Sequence, residues 1–68
     1  MRYRVYFQTQ QPMEFWARHW EMDKYSTTKI RAWGGEDKSV PSVDIYLHET
    51  PTEIHDNHSR TVWPPEKV

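Results

Sequence analysis

The chain contains no cysteine. That excludes disulfide bridges and thiolate zinc sites outright, two of the devices by which small domains offset a thin core. The same absence fits a reducing compartment, and a cytoplasmic setting is expected. Glycine is almost as scarce: two residues, standing together as Gly34-Gly35. No apolar run approaches the roughly 18 residues that would span a bilayer. The basic start Met1-Arg2-Tyr3-Arg4 has no apolar stretch after it, so neither a membrane helix nor a signal peptide is expected. Charge of one sign is also missing. The formal net charge of −1 gives no strong overall field. There is no internal repeat and no low-complexity tract.

Aromatic residues are abundant. Four Trp, four Tyr and two Phe sit in 68 residues, 15% of the chain. A chain of this length forms one domain at most and buries only about 60% of its unfolded surface. Large rings that bury about 150–250 Å² each can replace many aliphatics in such a core. The densest stretch is Met13-Glu14-Phe15-Trp16-Ala17-Arg18-His19-Trp20, and the core is expected to be built around it.

Residues 2–8 alternate. Tyr3, Val5 and Phe7 fall on one side and Arg2, Arg4, Tyr6 and Gln8 on the other, which is the period of a half-buried strand. Pro12 suits the first position of a helix, and Glu14 suits its positive end. Met13, Trp16, Ala17 and Trp20 then share the i, i+3, i+4, i+7 face of a helix over about 12–24. The competing reading makes 14–22 a strand, because aromatics favour sheets. Residues 27–33 alternate again, with Thr28, Ile30 and Ala32 opposite Lys29, Arg31 and Trp33, and Gly34-Gly35 ends the run. After Pro41, Val43, Ile45 and Leu47 alternate with Asp44, Tyr46 and His48. From residue 50 onward periodicity fails, with Ile54 and Val62-Trp63 as the sizeable apolar anchors.

These patterns predict an α+β fold. A small antiparallel three-stranded sheet carries one helix, about 12–24, on its apolar face. Residues 1–49 form the domain, and 50–68 form an irregular C-terminal tail, docked or free. The alternative is an all-β meander of four strands.

The outward alternates of such a sheet are Arg2, Arg4, Tyr6, Lys29, Arg31, Trp33, Tyr46 and His48. A basic face interleaved with rings suits a protein hot spot, and equally the bases and phosphates of a single-stranded nucleic acid. The halves of the chain differ in charge. Residues 1–33 carry six Lys/Arg against three acids, and residues 34–68 carry three against seven. The acidic Glu36-Asp37 loop is expected to contribute to partner binding, and the acidic tail could cover the sheet face. His55 and His58, with His48, Glu49 and Glu53 upstream, are residue types that ligate divalent metals, but no recognised spacing is present, so no metal is expected. No cofactor is expected either. Spacing yields no Ser–His–Asp, Cys–His or paired-carboxylate set, and His19 stands alone on the aromatic segment, so the chain is expected not to be an enzyme. The leading expectation is an interaction protein, an inhibitor or adaptor that binds a protein partner through this face. A single-stranded nucleic-acid module is the alternative, and self-association through an exposed strand edge would stabilise a chain this small. Strand-first chains of this size without cysteine are common among phage and mobile-element accessory proteins, a matter of size and style that no motif supports.

Overall fold

A computed structural model describes residues 1–35 and 42–65. It contains seven strands: β1 (Arg2–Tyr6), β2 (Met13–Trp16), β3 (His19–Met22), β4 (Lys29–Trp33), β5 (Val43–Tyr46), β6 (Glu53–His55) and β7 (Thr61–Trp63). They form two antiparallel sheets, one ordered β2-β1-β6-β7 and the other β3-β4-β5. Among the described residues there is no helix, so the α+β expectation is overturned and the all-β alternative fits. None is long and apolar enough to cross a membrane as a helix, which says nothing of β-barrels.

The expected helix over 12–24 is instead β2 and β3, joined at Ala17-Arg18. Phe15 and Ala17 are buried and Met13 packs beside them, so the inward side chains of the first half are 13, 15 and 17. In the second half Trp20 and Met22 face the core. The alternation therefore slips by one residue at the corner. That slip puts inward Met13, Ala17 and Trp20 at helical spacing by coincidence, and Trp16, which faces outward, completes the pattern. Cross-strand partners decide the outcome, because β1 pairs with the first half and β4 with the second. Ladder bonds run through the corner: Met1 and Ala17 exchange backbone bonds of 2.8 and 3.0 Å, and the Arg18 N–H donates to the Trp33 carbonyl at 2.8 Å. One bent strand thus passes from sheet to sheet.

Both sheets close on one core of Val5, Phe15, Ala17, Ile30, Ala32, Leu47 and Ile54. At the corner Tyr3, Phe15 and Trp20 form a triangle of rings with centroids 5.3, 5.6 and 5.8 Å apart. The stacked and edge-on arrangements are those that ring quadrupoles favour. The stretch from Met13 to Trp20 is therefore central to the core, through a bent strand.

The irregular tail is corrected as well. Ile54 of β6 lies opposite Val5 of β1, and both are fully buried. Trp63 of β7 packs against the same cluster. The Thr52 N–H donates to the Tyr6 carbonyl at 2.8 Å. Near the same end, Glu49 accepts bonds from the Thr9 amide and hydroxyl at 2.9–3.0 Å. Strands of three residues carry one or two apolar side chains each, too few to display a period.

Candidate interaction surface

The outward side chains of β1 are Arg2, Arg4 and Tyr6, and the register names their neighbours. Trp16 lies opposite Arg2, and Glu14 opposite Arg4. On the other flank His55 lies opposite Arg4, and Glu53 opposite Tyr6. Arg2 Nε reaches Glu14 Oε2 at 3.5 Å. The Arg4 guanidinium lies 5.7 Å from the centre of the Tyr6 ring, and the Tyr6 and His55 rings are 4.7 Å apart. Among the described residues no carboxylate lies within ion-pair distance of Arg4.

A second outward face belongs to the other sheet. Asp44 serves two cations there, Lys29 Nζ at 3.7 Å and Arg31 Nε at 3.4 Å. Lys29 also stands 5.8 Å from the Tyr46 ring centre, and Tyr46 is 71% exposed. Because the sheets enclose a common core, their outer faces point apart. The single face expected from the sequence is therefore two: Arg2, Arg4 and Tyr6 on one, Lys29, Arg31 and Tyr46 on the other. His48 is exposed just beyond β5. Trp33 does not join either surface, since it is only 8% exposed. Glu36 and Asp37 lie outside the described residues. Among the described residues the tail does not lie across a face. It adds β6 and β7 beside β1 and so extends the first face with His55 and Glu53.

One surface residue was missed. Trp16 is 74% exposed, although helical spacing places it in the core. Strand alternation over 13–17 would have found it, since Glu14 and Trp16 share a side. With Met1, Tyr3 and Arg18 it lines an open groove of about 390 Å³.

The β6–β7 connection forms the rim of the first face. Asp56 Oδ1 accepts the His58 amide at 2.8 Å and the Arg60 amide at 3.0 Å. Ser59 takes a left-handed backbone with φ of 63°. The bond from the Arg60 amide is the main reason the Asp56 carboxyl sits below its ordinary range; lost hydration opposes it, while the His58 amide and the His58 and Arg60 charges add to it. A depressed folded-state pKa means that the contribution is fully present above the unfolded value of about 3.9. It is lost as pH falls through the lower folded value. We expect Asp56→Asn to lack this share of the acid dependence. Melting curves of wild type and variant, taken from pH 5 downward, should differ most at pH 5 and converge in acid; parallel curves would contradict the assignment.

His55 Nε2 is buried and 3.1 Å from Glu53 Oε1, yet the approach is off the line a hydrogen bond requires. No group of three or more metal-ligating side chains is assembled among the described residues. His55 and His58 sit on the strand end and in the turn, apart from such a set. No family model, no curated protein and no solved structure matches the chain. The geometry of these faces is accordingly the basis for a functional reading.

Proposed function

We propose that this chain is a small all-β interaction domain that binds a protein partner through the outer face of β1, β2 and β6. It would act as an inhibitor or adaptor by occupying a surface, without chemistry of its own. The observation that carries the reading is Trp16, 74% exposed, standing opposite Arg2 on a sheet face. Tryptophan and arginine are the residues most enriched among binding hot spots, and an exposed indole gains from being covered. The face is rigid because strands, not loops, carry it, which lowers the ordering cost of association.

The same features could stack bases. Charge pairing favours a protein instead. On this face Arg2 is paired with Glu14 at 3.5 Å and Arg4 alone lacks a carboxylate within ion-pair distance among the described residues, whereas tracking a phosphate backbone needs several cations free to replace counterions. Affinity capture from the native lysate, with nuclease and at moderate salt, tests the proposal. A discrete protein should be retained by wild type, and Trp16→Ala should weaken it by about 30-fold or more, the size of a hot-spot loss. Recovery that vanishes with nuclease or salt would transfer the reading to single-stranded nucleic acid. Retention unaltered by Trp16→Ala would overturn the assigned face.

A further inference from the structure

A recess of about 150 Å³ opens on the proposed binding face, between β1, β2 and the β6–β7 turn. Its walls include Arg2, Arg4, Glu14, His55, Asp56 and Asn57. We infer that this recess is a subsite for one carboxylate group, supplied by an aspartate or glutamate side chain of the protein partner. The inference rests on the proposed function for the source of the carboxylate, and on the recess alone for its chemistry.

Size decides first. Pockets for drug-sized ligands and cofactors run to about 300–1,000 Å³, so this recess suits a single side-chain group and excludes a nucleotide. Charge decides next. Glu14 faces Arg4 across the β1–β2 ladder, yet its carboxylate is engaged by Arg2 at 3.5 Å. Asp56 turns Oδ1 into its own hairpin, where two backbone amides hold it at 2.8 and 3.0 Å. One oxygen of each lining carboxylate is thus engaged. Arg4 is the cation left over, held in place over the Tyr6 ring. A guanidinium has a planar fork of donors matched to a carboxylate, and a ring contact leaves that fork open. With two guanidiniums and two carboxylates in its lining the recess is neutral overall, so it accommodates one added negative charge at the Arg4 fork better than two. A dianionic phosphate would leave an excess charge facing Glu14 and Asp56. Position supplies the third argument. Arg2, on the recess wall, lies opposite exposed Trp16, so a carboxylate here would sit beside the aromatic anchor.

The test uses the ¹⁵N-labelled full chain and follows its amide resonances. Sodium acetate is titrated against sodium chloride at constant ionic strength, and two capped dipeptides, acetyl-Leu-Glu-amide and acetyl-Leu-Gln-amide, follow. Acetate, unlike chloride, should shift the amides of Arg4, His55 and Asn57 saturably. Arg4→Gln, at an exposed position, should keep the dispersed spectrum and weaken acetate by about tenfold or more, the worth of a charge-assisted bond. Glu14→Gln should strengthen acetate binding by releasing Arg2 from its ion pair and removing a negative charge from the recess wall. The Glu dipeptide should bind more tightly than acetate, and the Gln dipeptide about tenfold more weakly than the Glu form. Shifts no different from chloride, or indifference to both variants, would overturn the subsite. Acetate binding without any gain in the Glu dipeptide would overturn the partner side chain as its source and leave a free small carboxylate. None of these readouts involves the captured protein, so failure of the subsite and failure of the proposed function are separately visible.

Discussion

Ile54→Ala is expected to remove about 2–5 kcal/mol of stability, the range for deleting a buried isoleucine down to its β-carbon. Ile54 is fully buried and stands opposite Val5, also fully buried, at the centre of the four-stranded sheet. A chain of 68 residues has roughly 3–10 kcal/mol in total at the usual stability per residue. The substitution therefore takes much of what is available, and at the upper end it unfolds the protein at room temperature. Its neighbours cannot collapse into the space easily, because Val5 and Ile30 are fixed in different sheets around it. Val43→Ala, in β5 on a side chain 65% exposed, is the control and should cost less than about 0.5 kcal/mol. Urea denaturation followed by tryptophan fluorescence measures both. A midpoint unmoved by Ile54→Ala would mean that β6 does not complete the core and that residues beyond 50 behave as a tail.

The sequence displays β1, β4 and β5 because each has an alternating run of several residues with one apolar side. Val5, Ile30 and Ala32 are buried where alternation puts them. The bent strand is illegible for a specific reason. A one-residue slip at Arg18 turns two short strands into an apparent helical face, and only the partners β1 and β4 reveal which pattern holds. Those partners are long-range. Arg2 meets Trp16, and Trp20 meets Ala32, through pairings that a local window does not contain. The closing strand β6 is hidden further, since three residues with a single buried isoleucine have no period. The candidate site follows the same logic. Alternation groups Arg2, Arg4 and Tyr6 correctly on one side of β1. It cannot show that Glu14, Trp16, Glu53 and His55 flank them, nor that Lys29, Arg31 and Tyr46 belong to a different sheet. Division into two sheets is a property of the corner at Ala17-Arg18, and that corner is where local patterning breaks.

Trp33→Ala should cost about 3–5 kcal/mol, as for other buried tryptophans, a large share of the roughly 3–10 kcal/mol available. Trp33 ends β4 opposite His19, is 8% exposed, and its carbonyl receives the Arg18 amide at the turn of the bent strand. Truncating it removes a buried ring at the end of β4. Trp33→Phe keeps most of the volume and should retain a cooperative transition at a lower midpoint. Trp16→Ala offers the opposite outcome. Its indole is already in water, so stability should change by less than about 0.5 kcal/mol, while the red-shifted share of the fluorescence disappears. The two substitutions thus separate roles that strand alternation alone confuses. Loss of binding in Trp33→Ala would follow from loss of the fold, and loss of binding in a fully folded Trp16→Ala would locate the contact surface. A Trp33→Ala variant melting at the wild-type temperature would show that its ring is not packed, and the two faces would then have to be redrawn around it.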